Sequence, residues 1–384
     1  MSASGNSDPH QAFSFPRPTG PYAIGTATYQ WVDAHRPEVF TADPDDRREL
    51  MAQIWYPAED LPSSPRAPYM PDARVVAQAL ERFLGAPASA FAQLRDITTN
   101  AVALAPVAAG EDRYPVLVLL VGLKGSYRQV QTFQVEELAS HGYVVAAIDQ
   151  PYSAAMVVFP DGRQAAYDDR WDPPHSAFMD AHIPYLAQDV VFTLDRLAAL
   201  DHADANGILQ GRLDLGRVGL VGHSFGAVVG GEACRIEPRF RACLLEEAFM
   251  PDDVVRAGLQ QSAMFLTRDA ESMRLERRAA GGWPEADIQE TLNTMRAVYE
   301  SLPGDGYYVQ VPGMFHLDMT DAPYFSTLFP WPGFSGPIGG DRAHRIVNAY
   351  SVAFFDRELR DRPIALLDGP TPQFPEVLFE SRRP

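Results

Sequence analysis

The chain has 384 residues, enough for one large domain or two smaller ones with an ample core. Its 50 acidic residues outnumber 32 basic ones, for a net charge of −18, so its surface repels nucleic-acid phosphates and anionic membranes. No run of about 18 apolar residues exists, which removes a membrane-spanning helix from the expected elements.

Residues 1–20 read as a disordered lead, and 21–384 as one domain. Met1 to Pro9 is polar and lacks the basic start and apolar segment of a secretory leader, so a cytoplasmic location is expected. Tyr22 to Val32 and Glu49 to Tyr56 alternate as strands around the Asp43-Pro44-Asp45-Asp46 turn, giving an antiparallel pair. Helical spacing of Val75, Val76, Leu80 and Phe83 predicts a helix over 72–84. From Tyr114 the pattern changes. Val116 to Val121 is a continuous apolar run, as in a strand buried on both faces. A helix follows over 131–141, then a buried strand over 143–148. Met156 to Val158 and Arg163 to Ala165 form a small hairpin around Asp161-Gly162, and 184–200 is a long helix. Arg217 to Val221, Ala242 to Leu245, Ala263 to Leu266 and Tyr307 to Val311 are further short strands, with helices near 285–300 and 341–358. Strand–helix alternation of this kind means a mostly parallel sheet covered on both faces, with the antiparallel pair as an N-terminal extension. Segments near 151–182 and 270–303 stand out as lid candidates.

The chemistry centres on Gly222-His223-Ser224-Phe225-Gly226, a G-x-S-x-G sequence with a strand before it and a small-residue helix start after it. In that setting the serine sits on a sharp turn with its hydroxyl raised above the sheet edge. A serine hydroxyl needs a base, and the base needs a carboxylate. Downstream of Ser224 there are two histidines. His316 follows the last predicted strand and is the expected base, whereas His344 lies within a helix and reads as solvated. His223 reads as packing. Three acids compete: Glu246 and Glu247 after one strand, and Asp269 after the next. Two adjacent glutamates closing an apolar strand place one of them toward buried space, where imidazolium is a good partner. The oxyanion donors are the Phe225 amide and that of Leu123 or Lys124, on the loop after the Val116 strand, where Gly122 and Gly125 let the backbone turn. Phe249, Met250, Phe315 and Trp331, with Phe178 and Met179, are candidates for an apolar acyl pocket. Cys234 and Cys243 read as small, unpaired core residues, and no metal site or cofactor is indicated.

The elbow, the Glu137–Ala147 stretch, Gly313-Met314-Phe315-His316 and the Arg47–Pro57 segment together resemble the plasma-type platelet-activating factor acetylhydrolases and their bacterial relatives. The resemblance runs from about residue 20 to 358. It implies an α/β-hydrolase fold, a Ser-acid-His triad without metal or cofactor, and cleavage of esters, including short or oxidised acyl chains on phospholipids. It places the acid at Glu247, 23 residues past the nucleophile. Here glutamate stands where the family has aspartate, and Val121-Gly122 stands where the family has His-Gly. The expected activity is hydrolysis of a small-molecule carboxylic ester with a short-to-medium acyl chain, through an acyl-enzyme. An amidase, lactonase or acyltransferase using the same serine is the second reading, and a non-catalytic small-molecule binding protein is the third.

Overall fold

The computed structural model describes residues 13–84, 91, 94–172, 177–326 and 331–383. Its strands are β1 (Ala23–Pro37), β2 (Arg47–Ala58), β3 (Val102–Ala103), β4 (Tyr114–Leu120), β5 (Val144–Asp149), β6 (Met156–Val158), β7 (Gln164–Ala166), β8 (Leu213–His223), β9 (Phe240–Glu246), β10 (Ser262–Thr267), β11 (Gly306–Gln310) and β12 (Leu378–Arg382). Its helices are α1 (Ala73–Leu84), α2 (Thr132–Ser140), α3 (Ala177–His202), α4 (Phe225–Ile236), α5 (Asp252–Ala257), α6 (Ala270–Ala280), α7 (Glu285–Ser301) and α8 (Gly340–Arg360).

Ten strands form one sheet in the order β12-β11-β10-β9-β8-β4-β5-β2-β1-β3. Neighbours from β5 through β4, β8, β9 and β10 to β11 pair in parallel. β2 joins β5 antiparallel and carries β1, so the predicted N-terminal pair extends the parallel sheet. The central strands are apolar throughout because both faces are covered: β4 and β5 are buried along their whole length. One face packs on α3 and α4 through Leu220, Val229, Leu194 and Leu245. The opposite face packs on α2 and α8 through Leu119, Val221, Leu138 and Phe355. This is an α/β-hydrolase arrangement. Buried Arg48 of β2 pins the sheet to α3 through Asp189 at 2.7 Å and also pairs with Glu38 at 2.9 Å.

Several expectations change. The lead expected to be disordered to residue 20 is ordered from Phe13, because Phe13 and Phe15 pack on Tyr324, Phe325 and Tyr69; residues 1–12 lie outside the described set. The long helix begins at Ala177, seven residues before the expected start, with Pro184 in its interior. β12 was missed: it is a short, half-exposed edge strand with little periodic signal. α6 was missed because five of its 11 residues are charged, which leaves only a short apolar stripe. Cys234 and Cys243 are joined in a disulfide, where unpaired core residues were expected. α4 turns back directly into β9, and this tight connection brings the two side chains together in the core between α4 and the sheet.

Candidate active site

In the parallel part of the sheet, every strand relevant to the chemistry ends at the same edge. β8 delivers Ser224, β9 Glu247, β10 Arg268, β11 the loop to His316, and β4 the loop through Leu123. Such an edge is where ligands meet open α/β sheets.

Ser224 has φ 57° and ψ −130°, a backbone that a residue with a side chain rarely adopts. Its surroundings hold it there. The Ser224 N–H donates to the Glu246 carbonyl at 2.9 Å, and α4 starts at the next residue. The turn also requires Gly226, since a methyl group there would collide with the Leu120 carbonyl. Strain of this kind costs on the order of 1–3 kcal/mol and persists where the fold over-determines it. The result aims Oγ at His316, whose Nε2 lies 3.0 Å away. His344, by contrast, is buried: its ring stacks on Phe133 with centroids 4.0 Å apart, and Nε2 meets the Thr320 carbonyl at 2.8 Å. It is a core histidine and not the solvated residue expected, because its helix face packs against α2. His223 is also buried, with its ring 4.8 Å from that of His316.

Burial, then the neighbouring His223 and Arg268, hold His316 well below the usual imidazole range. It is therefore a neutral imidazole at neutral pH. Its Nδ1 is buried and has no hydrogen-bond partner among the described residues. The three candidate acids are placed differently. Glu246 turns to the α2 face, where its carboxylate accepts from Gln134 at 2.7 Å and Gln131 at 3.1 Å. Asp269 caps α6, accepting from the Ser272 amide and hydroxyl. Glu247, at φ 54°, lines the same cavity as Ser224 and is fully buried. It pairs with Arg268 Nε at 2.9 Å and accepts from the Arg268 amide at 3.1 Å.

Two participants escaped the sequence reading. Arg268 is buried between Glu247 and Glu276, with its guanidinium 5.3 Å from the centre of the Trp283 ring. Glu276, on α6, also accepts from the His316 amide at 3.1 Å. No spacing rule connects these residues to the elbow, and α6 itself was not predicted.

The oxyanion candidates separate cleanly. The Lys124 amide is already spent on the Ser153 carbonyl at 3.0 Å, so it cannot serve as the rival donor. The Leu123 amide has no acceptor among the described residues. Phe225, as the first residue of α4, has no intrahelical acceptor for its own amide. Gly122 matters for closeness: a Cβ there would stand 3.1 Å from the Ser224 Cβ. Gly125 has open space around it, and the left-handed backbone falls instead on Lys124, at φ 66°.

Of the expected pocket residues, Phe249 and Met179 line one cavity beside Ser224, and Trp331 lines another. Met250 does not: it turns down against Gly231 in the core, 1 % exposed. Phe315 is 4 % exposed and lines neither cavity; its backbone N–H donates to Asp318 Oδ2 at 2.7 Å. Phe178 packs on Trp171 and His182.

Residues 8–172 match the family model described as platelet-activating factor acetylhydrolase, isoform II. The chain is 21% identical to the platelet-activating factor acetylhydrolase of Gallus gallus over 95% of its own length and 89% of the relative's. It is 24% identical to that of Canis lupus familiaris over 68% of its length and 61% of the relative's. Among solved structures, a ferulic acid esterase from Streptomyces cinnamoneus superposes with a TM-score of 0.76 at 30% identity, covering 94% of this chain and 97% of that one. The chain thus has an α/β-hydrolase fold and is similar to platelet-activating factor acetylhydrolases and to an esterase, which supports an ester hydrolase.

Proposed function

We propose that this chain is a serine-dependent carboxylic ester hydrolase working through an acyl-enzyme. The observation that carries the reading is the 3.0 Å contact between Ser224 Oγ and His316 Nε2, made on a strained elbow beside two uncommitted amides. In this reading His316 Nε2 takes the Ser224 proton as Oγ attacks the ester carbonyl. The tetrahedral oxyanion accepts from the Leu123 and Phe225 amides. His316 returns its proton to the departing alkoxide, and the C–O bond of the ester breaks. A water molecule, deprotonated by the same nitrogen, then attacks the acyl-enzyme and frees the carboxylic acid and Ser224.

Glu247 is the acid of this reading. It is buried beside Ser224, at the end of the strand next to the elbow, while Glu246 and Asp269 are held by other partners. Its carboxylate rests on Arg268 and turns toward Nδ1 as positive charge develops on the ring. The substrate is a small-molecule ester. Ser224→Ala tests the proposal: hydrolysis of p-nitrophenyl esters falls by at least about 10⁴. Wild-type turnover in that variant would place the chemistry elsewhere.

A further inference from the structure

Ser224 stands on a wall shared by two cavities. One, of about 320 Å³, also takes in His223, His316 and Tyr127. The other, of about 280 Å³, takes in Phe225 and Glu247. Leu123 and Trp283 line both, so the link between α6 and α7 carries an indole shared by the two spaces.

The proton path decides which half of an ester each space accepts. A leaving alkoxide must lie beside His316 Nε2 to be protonated, and His316 lines the larger cavity but not the smaller. The acyl carbonyl must lie on the Phe225 amide, and Phe225 lines the smaller cavity but not the larger. The alcohol therefore belongs to the larger cavity and the acyl group to the smaller.

The walls say what these groups are. The acyl space is bounded by Tyr167, Trp171, Phe225 and Phe249, ring surfaces that suit a planar group. The alcohol space is bounded by Leu80, Phe83, Val130 and Phe325. Among the described residues lining the two, Lys124 is the one lysine or arginine, and its ammonium is paired with Asp172 at 2.9 Å. Glu247 and Asp287 face the acyl space and Glu276 the alcohol space. An anionic group, phosphate included, meets no uncommitted cation in either.

We propose that the substrates are uncharged esters joining an aromatic acyl group to a bulky apolar alcohol, with the acyl group in the Trp171 cavity and the alcohol in the Phe325 cavity. This rests on the roles given above to Ser224 and His316. It narrows the short-to-medium acyl chain expected from sequence to an aromatic one, since a short chain would leave the smaller cavity mostly unfilled.

The test uses four esters with leaving groups of similar basicity: methyl and 2-phenylethyl esters of acetic and 3-phenylpropanoic acids. On the wild-type protein, enlarging either half raises kcat/KM roughly tenfold or more, as expected for burying a ring. Thr291→Phe narrows the acyl cavity and Ala322→Phe the alcohol cavity. The first lowers the phenylpropanoyl-over-acetyl ratio at least tenfold and leaves the alcohol ratio within threefold; the second does the reverse. Preference for acetyl esters by the wild type, or exchanged effects of the two variants, would overturn the assignment. Ser224→Ala separates the levels: loss of all four activities upholds the nucleophile even where the selectivities fail, and retained activity removes the nucleophile itself.

Discussion

Glu246 and Glu247 are adjacent, both fully buried, and end on opposite faces of the sheet edge, so a single methodical substitution distinguishes them. Glu246 sits among Gln131 and Gln134, with Ser351 accepting a further bond from Gln134 at 2.9 Å. No cation is bonded to it, and burial pushes its carboxyl from an ordinary value near 4.5 up to about 8. It is therefore largely protonated in the native state at neutral pH and ionised in the unfolded chain. A group raised in this way contributes stability that is complete below the unfolded value and is lost as pH climbs through the folded one. Between pH 5 and pH 8 that loss amounts to roughly 3 to 4 kcal/mol, at about 1.4 kcal/mol per pKa unit. Glu246→Gln does not titrate. Its amide keeps both contacts if Gln131 turns over to offer Oε1, which has no partner now. Urea denaturation at pH 5 and pH 8 measures the difference. The variant's stability advantage over wild type should grow by that amount at the higher pH, while ester hydrolysis stays within about twofold. A pH-independent difference would show that the carboxyl is ionised in the fold. A thousandfold loss of activity would make Glu246 the triad acid and remove Glu247 from that role.

Four further outcomes follow from the same geometry. Glu247→Gln lowers kcat by about 10³–10⁴ with little change in KM, measured by steady-state hydrolysis, since an amide cannot stabilise imidazolium as a carboxylate does. The pH profile of kcat/KM rises through an apparent pKa below 6.5 and is flat across neutrality, because the depressed His316 is already a free base there; a midpoint above 7 contradicts the burial argument. Gly122→Val lowers kcat at least about tenfold by pressing on the Ser224 side chain, and circular dichroism shows the fold retained. Cys234→Ser with Cys243→Ser lowers stability in urea by about 3 kcal/mol, the loop-closure value for so short a connection.

Much of this site was legible because its signals are local. The G-x-S-x-G sequence lies between an apolar strand and a small-residue helix, and both flanks appear as β8 and α4. His316 could be found by chain order alone, as a histidine just past the last parallel strand. The acid was not decided by order, because Glu246, Glu247 and Asp269 all follow strands that end at one edge; only side-chain direction separates them. Strand alternation does not give that direction where φ turns positive, as it does at Glu247. Arg268 and Glu276 were invisible for another reason. The buried ion pair joins an arginine after one strand to a glutamate on the helix that follows it, and each looks like a surface residue in sequence. His344 misled in the same way, since two flanking arginines made a buried helix face look solvated.

The central claim is that an acyl group is carried on the hydroxyl at position 224. Reaction with a fluorophosphonate, followed by intact-mass and peptide mass spectrometry, tests it most directly. One equivalent of adduct on the Ser224 peptide, lost in Ser224→Ala and slowed at least about a thousandfold in His316→Ala, is the predicted result. An adduct on any other residue, or none from a protein that still hydrolyses esters, contradicts it.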